Sequence, residues 1–202
     1  CTGLVMDSKL QDLRVRIGSF SGKSTSNLGL IPSAVLVLLY LKNDEVNVLL
    51  NKRSETVEHH KNEISFPGGR MDKHDYSLFD TALRETKEEI GVSPDDVNMF
   101  GQLDQVETMT GYSITPYVGT IPEKYNFNIN SAEVSKLLEI PLFKFNDGTV
   151  LRKELRYFNG NWLSKHNYVY EGHLDIDNSL FYDNDGRSVY AYYGTVEMDF
   201  CT

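Results

Sequence analysis

The sequence has little cysteine, little positive charge and no long apolar run. Its two cysteines, Cys1 and Cys201, stand at opposite ends of 202 residues, which excludes a disulfide-rich scaffold and favours a reducing compartment. The 20 basic residues are outnumbered by 29 acidic ones, giving a net charge of -9, so the broad basic surface of a nucleic-acid-binding protein is not expected. The longest apolar run, residues 34–41, is too short to span a bilayer and predicts a buried strand.

Targeting signals are also missing from the printed chain. No signal-peptide pattern opens it, and its last residues, "DFCT", are not the S-K-L address of a peroxisomal protein. We therefore expect an intracellular protein, cytoplasmic or peroxisomal. The length suits one domain. We predict an N-terminal helix and loop over residues 1–30 and the main domain over 31–202.

Hydrophobic spacing predicts mixed α and β content. Leu10, Leu13 and Ile17 recur at helical spacing, which predicts a helix over 7–17. Strands are expected at 34–41, at 46–51, near 97–107 and at 113–120, and a short helix at 131–138. Beyond residue 146, segments at 153–158 and 167–172 are typical of strands.

The chemistry-bearing stretch is "RETKEEIG" at residues 84–91. Ser77 and Asp80 have the form of a helix-starting capping box, and Gly91 stands where a left-handed C-cap is expected. On this helix Glu85, Glu88 and Glu89 converge, although like charges at such spacing destabilise a helix. One interpretation is a solvated acidic face. The other is a site for a hard divalent cation such as Mg²⁺, which prefers oxygen ligands.

The residues before this helix favour the cation. "FPGGRMD" at 66–72 contains paired glycines that allow a tight loop and close approach to a ligand. A glycine loop followed by a helix bearing R-E-x-x-E-E-x-G resembles the signature of the Nudix hydrolases. Arg84 and Gly91, with the three glutamates, fall on that pattern. The chain departs from it at Arg70, where the signature has glycine, and at Tyr76, where it has glutamate.

The departure and the upstream residues are similar to one branch of the family, the coenzyme A diphosphatases. That branch has L-L-T-x-R-S, a basic residue, a glycine and F-P-G-G at set intervals. Here "LLNKRS" stands at 49–54 and "FPGG" at 66–69. Asn51 replaces the threonine, Glu58 the basic residue and Asn62 the glycine. Residues 108–121 and 131–142 also resemble segments of this branch.

The resemblance implies a fold, a metal site and roles for individual residues. The fold would be α/β, a Nudix-type α/β/α sandwich with a mixed β-sheet. Mg²⁺ or Mn²⁺ would be held by Glu85, Glu88, Glu89 and the Gly69 carbonyl, and Arg84 would orient the glutamates. Further candidate roles are proton removal by Glu88 or Glu133, with Glu107 as an alternative, and substrate contacts by Arg53, Ser54, Gly68, Gly69 and Arg70, with Lys52 as a weaker candidate.

Three functions stay open on the sequence alone. The first is metal-dependent cleavage of coenzyme A or its derivatives to adenosine 3′,5′-bisphosphate and 4′-phosphopantetheine. The second is cleavage of another nucleoside diphosphate derivative, such as ADP-ribose, a dinucleotide or a nucleoside triphosphate, because Glu58 reverses an expected charge. The third is a non-catalytic binding module. In each case we expect a small-molecule partner, with no nucleic acid and no membrane span; the sequence leaves the oligomeric state open, monomer or homodimer.

Overall fold

The computed structural model describes residues 7–24, 29–56, 64–108 and 111–146, and the backbone of three further strands. The helices are α1 (Ser8–Gly18) and α2 (Leu78–Ile90). The strands of the main sheet are β1 (Ile31–Lys42), β2 (Glu45–Arg53), β3 (Ile64–Ser65), β4 (Gly68–Arg70), β5 (Asn98–Gln102), β6 (Val106–Glu107), β7 (Tyr112–Thr120) and β8 (Val134–Pro141). A second sheet contains β9 (Leu151–Phe158), β10 (Asn161–Tyr170) and β11 (Leu174–Asp177).

Strand β1 is the centre of a mixed main sheet. It pairs in parallel with β7 and antiparallel with β2 and β4. Both of its faces are buried: Leu36 and Leu38 pack on the side of α2, whereas Val37 and Leu39 pack on the side of α1. A strand covered on both faces is expected to be a continuous apolar run, which explains residues 34–41. The two helices on opposite faces confirm the predicted α/β/α sandwich with a mixed sheet.

Helix α2 begins and ends where its sequence signals predict. The Ser77 hydroxyl oxygen accepts a hydrogen bond from the backbone N–H of Asp80 at 3.1 Å and donates to the Asp80 carboxylate at 2.9 Å. Gly91 ends the helix at φ 74°, a left-handed conformation that favours glycine. Ala82 and Ile90 are fully buried against the sheet. These contacts fix the helix that carries the three glutamates.

Residues 131–138 do not form the predicted helix. Val134–Pro141 is strand β8, which pairs antiparallel with β2 through contacts such as Leu138 opposite Leu50. The prediction was wrong because Val134 and Leu138 are four residues apart, a spacing that both a helix and one face of a strand contain. Pairing with β2 decides between the two.

The other predicted elements are observed with shifted ends. The segment near 97–107 is divided into β5 and β6, with residues 103–105 between them. The strand expected at 153–158 is β9 (Leu151–Phe158), and residues 167–170 of the strand expected at 167–172 lie within β10 (Asn161–Tyr170). Residues 171–172 lie outside the described residues. No helix in the described part of the chain is long and apolar enough to cross a membrane. The division at residue 30 stays a prediction.

Candidate active site

A polar cavity of about 500 Å³ lies where the glycine loop meets α2. Its size is that of a small-molecule site. Charged side chains of both signs line it, three arginines against four carboxylates, so it offers cationic groups within an acidic protein. The lining residues are Ile31, Arg53, Gly68, Gly69, Arg70, Met71, Asp72, Arg84, Glu85, Glu89 and Glu133.

The two glycines let the loop lie against both the sheet and the helix. A Cβ on Gly68 would come within 2.3 Å of the Ala34 carbonyl oxygen, and the φ of +152° at Gly68 is also unfavourable for other residues. A Cβ on Gly69 would lie 2.6 to 2.9 Å from the Glu85 carboxylate. Glycine is therefore required at position 68, where the close atoms belong to the backbone, whereas a side chain at position 69 would displace the Glu85 carboxylate, which Gly69 directly borders.

Glu89 is the most deeply buried carboxylate of the site. It is 3% exposed. Its Oε2 accepts hydrogen bonds from the Asn51 side-chain amide at 2.9 Å and from the Gly68 N–H at 3.1 Å. Its Oε1 lies 3.7 Å from Nη1 of Arg53. Burial raises the pKa of Glu89 to about 8, although the Gly68 N–H and the Arg53 charge act in the opposite direction.

Arg84 connects the glycine loop to the glutamates. Its Nε and Nη2 donate to both oxygens of Asp75, at 2.9 and 3.0 Å. Its Nη1 donates to Glu85 at 2.8 Å and to Glu88 at 3.1 Å, and Nη2 also donates to the Arg70 carbonyl at 3.1 Å. This planar, many-donor arrangement matches the fork geometry of arginine. Burial raises the pKa of Glu85, and Arg84 opposes that rise.

Asp75 is a site residue that the sequence reasoning missed. The resemblance places a glutamate at position 76, but Tyr76 there is 99% exposed. Asp75, one residue earlier, pairs with Arg84 and also accepts from the Asp72 N–H at 2.8 Å and the Thr81 hydroxyl at 2.9 Å. The available signal was a carboxylate one position before the glutamate that the family signature places at position 76.

Replacing Asp75 by asparagine is expected to destabilise the protein by about 2 kcal/mol at pH 7, because the charged hydrogen bonds to Arg84 are weakened. The Arg84 bonds hold the pKa of the Asp75 carboxyl well below its usual range. A lowered folded-state pKa contributes stability that is complete above the unfolded-state pKa of about 4 and is lost below it. The difference in the free energy of unfolding between wild type and Asp75→Asn should therefore be constant from pH 7 to 5 and become smaller below about pH 4.

Urea unfolding followed by circular dichroism at several pH values measures this difference. The matched control is Asp12→Asn, which removes a carboxylate 59% exposed and paired with Arg16 within α1. Its expected cost is below about 0.5 kcal/mol, because exposed pairs contribute little. If Asp75→Asn and Asp12→Asn lowered the free energy of unfolding equally, the Asp75–Arg84 pair would not stabilise the loop before α2.

The structure places most predicted site residues on the cavity and some away from it. Glu88 is not among the lining residues, and its side chain is 54% exposed. The Ser54 hydroxyl pairs with Thr56 at 2.8 Å, and the Ser54 N–H donates to the Glu133 carbonyl. Glu107 and Lys52 do not line the cavity either. Glu58 and Asn62 lie outside the described residues.

The donor chemistry of the cavity fits a hard divalent cation. Three glutamate carboxylates, those of Glu85, Glu89 and Glu133, line one space beside the backbone of Gly69, and oxygen donors are what Mg²⁺ prefers. As the side chains stand, no group of three histidine, cysteine, aspartate or glutamate residues in the described ranges is close enough to hold a metal ion. Oxygens of the glutamates are occupied by donors of the protein instead, so metal binding stays a prediction.

Comparison with known sequences identifies the family. A sequence model of the NUDIX domain matches residues 30–170. A Yersinia enterocolitica protein described as "Uncharacterized Nudix hydrolase NudL" is 36% identical over 137 residues, which cover 68% of this chain and 67% of the relative. The NudL protein of Cronobacter sakazakii is 39% identical over 59% of this chain and 62% of its own length. The chain thus spans about two thirds or less of these relatives.

Solved structures resemble the chain more distantly. The Nudix hydrolase RenU from M. smegmatis is 20% identical, with a TM-score of 0.49, over 60% of this chain and 76% of that protein. The family assignment does not depend on that likeness, because the sequence match covers well over half of the chain. The chain belongs to the Nudix hydrolases, a family that acts on phosphoric anhydride bonds and generally uses divalent metal ions.

Proposed function

We propose that this protein hydrolyses the diphosphate bond of coenzyme A or its derivatives in the presence of Mg²⁺ or Mn²⁺, giving adenosine 3′,5′-bisphosphate and 4′-phosphopantetheine. The observation that carries the proposal is the cavity, in which Arg53 of the "LLNKRS" strand, the two glycines of the "FPGG" loop, and Arg84, Glu85 and Glu89 of the "RETKEEIG" helix line one space. The "LLNKRS" and "FPGG" segments resemble the coenzyme A diphosphatases, and the "RETKEEIG" helix carries the signature of the whole family. The compartment and the monomeric or homodimeric state stay predictions.

Arg53 is the best-placed residue for binding the phosphates. It lines the cavity, and its side chain is 27% exposed. Its Nη1 is 3.7 Å from Glu89 Oε1, too far for a good hydrogen bond. Guanidinium donors without protein partners can bind phosphate oxygens bidentately. Arg70, exposed at the mouth of the same cavity, would supply a second positive charge.

Glu85, Glu89 and the Gly69 carbonyl would hold the divalent cation, with Glu88 joining only if its side chain turns inward. When bound, the cation would neutralise charge that builds up on the diphosphate oxygens during cleavage. Arg84 fixes Glu85 by its 2.8 Å hydrogen bond. It thereby keeps one carboxylate beside the glycine loop while the buried position of Glu89 fixes the other.

We assign proton removal from the attacking water to Glu133 in preference to Glu88. Glu133 lines the cavity, whereas Glu88 does not. The Glu133 Oε1 accepts a hydrogen bond from the Asn130 side chain at 3.0 Å, which orients the carboxylate. A general base must lie within reach of the proton that it removes, and the position of Glu133 satisfies that requirement better.

A substrate panel tests the proposal. Purified protein with Mg²⁺ or Mn²⁺ is given coenzyme A, acetyl-coenzyme A, ADP-ribose, NADH or a nucleoside triphosphate, and the products are identified by liquid chromatography and mass spectrometry. We expect adenosine 3′,5′-bisphosphate from coenzyme A with the highest kcat/KM of the panel. Faster cleavage of another compound would favour the second candidate, which the charge reversal at Glu58 keeps open. No turnover with either metal would overturn both.

A further inference from the structure

Asn51 is a buried polar residue with no role among those assigned above to the arginines and glutamates. It lies in β2 and is 1% exposed. It points to the same side of the sheet as Leu49, which belongs to the apolar cluster under α2. Its Oδ1 has no hydrogen-bond partner among the described residues. Burying an unpaired acceptor destabilises a protein, so apolar packing does not explain an amide here.

The contact that Asn51 does make is with Glu89. Its Nδ2 donates to Glu89 Oε2 at 2.9 Å, and the Gly68 N–H donates to the same oxygen at 3.1 Å. Two donors from different strands therefore occupy one oxygen of a carboxylate that is 3% exposed. The other oxygen, Oε1, is on the side of Arg53, which lines the cavity.

We propose that Asn51 is a positioning residue that, together with the Gly68 N–H, holds Glu89 Oε2 and so presents Oε1 alone to a divalent cation. The proposal rests on the metal-dependent function above. Groups that hydrogen-bond a metal-ligating carboxylate orient it, and their loss typically weakens metal binding 10- to 100-fold. A residue that only filled space at position 51 would have no such effect.

Measuring Mn²⁺ binding without substrate distinguishes a positioning role of Asn51 from a packing role. Asn51→Leu removes the donor with little change in size, and Asn51→Ala removes it if the leucine variant fails to fold. Electron paramagnetic resonance of free Mn²⁺ should show at least about tenfold weaker binding by either variant. A melting curve of each variant shows that it is folded.

Asn47 supplies the matched control. It lies in the same strand, is 4% exposed, and donates to the Glu45 carbonyl at 3.0 Å, at the turn between β1 and β2. Asn47→Leu should lower the melting temperature and leave the Mn²⁺ affinity unchanged. Unchanged affinity in Asn51→Leu or Asn51→Ala would overturn the positioning role alone. Failure of wild type to bind Mn²⁺ would overturn the proposed metal-dependent function and this role with it.

Discussion

Replacing Glu89 by glutamine is expected to lower kcat about 10³-fold, which corresponds to about 4 kcal/mol of transition-state stabilisation. Glutamine has the same shape but no negative charge, so it would hold a divalent cation poorly. The fold should not suffer. Burial disfavours the charged form of Glu89 and raises its pKa to about 8, so a neutral amide removes a cost that folding imposes on the carboxylate. Activity and stability are expected to change in different directions.

The measurement is kcat with the best substrate of the panel at saturating Mg²⁺, beside a melting curve followed by circular dichroism. Glu139→Gln is the control, because Glu139 lies on β8 in an ion pair with Lys42 and does not line the cavity. It should retain the wild-type kcat. If Glu89→Gln kept more than about a tenth of the wild-type kcat, a loss of under about 1.4 kcal/mol, Glu89 would not be a metal ligand.

Glu88→Gln, measured in the same series, tests which of the three glutamates face a ligand, a question that the sequence alone left open. Helical spacing places Glu85, Glu88 and Glu89 near one another, but it does not determine which of them face a ligand. In the fold, Glu85 and Glu89 line the cavity, whereas Glu88 is 54% exposed and not among the lining residues. The sequence motif identifies the three carboxylates together, and the contacts of α2 with the loop distinguish between them.

Features set by neighbours in sequence could be predicted, and those set by distant pairing could not. The caps at Ser77 and Gly91 and the doubly buried strand at 34–41 depend on local patterns, and the structure confirms them. Strand β8 depends on pairing with β2, which lies more than 80 residues earlier in the chain, and its apolar spacing also fits a helix. Local pattern carries no information about that choice.

Within the site, too, contacts between neighbours in sequence could be predicted, whereas contacts between distant segments could not. Arg84 and the glutamates share one helix, so their relation follows from helical geometry. The partners that hold them come from elsewhere: Asp75 from the loop before α2, and Asn51 from β2. In the sequence, Asn51 stands out only as a replacement for threonine. Its contact with Glu89 becomes apparent when β2 is placed under the helix, because the two residues are 38 positions apart.

Arg84→Lys is expected to lower both stability and activity although it keeps the positive charge. Arg84 donates to Asp75, Glu85, Glu88 and the Arg70 carbonyl at distances of 2.8 to 3.1 Å. A lysine ammonium is a point donor that cannot reach both oxygens of Asp75 and the glutamates together. Losing several of these charged hydrogen bonds should cost about 3 kcal/mol, and displacing Glu85 should lower kcat about 100-fold.

Comparison of Arg84→Lys with Asp75→Asn shows which of the Arg84 hydrogen bonds, those to Asp75 or that to Glu85, contribute to activity. Asp75→Asn weakens the tie between Arg84 and the loop but leaves the hydrogen bond from Nη1 to Glu85 available, so its kcat should fall less than that of Arg84→Lys. Urea unfolding and steady-state kinetics measure the two effects separately. Arg16→Lys, in an exposed pair on α1, should change stability by less than about 0.5 kcal/mol. If Arg84→Lys lost stability but kept the wild-type kcat, Arg84 would stabilise the fold without orienting Glu85. The orientation of Glu85 would then depend on the glycine loop alone.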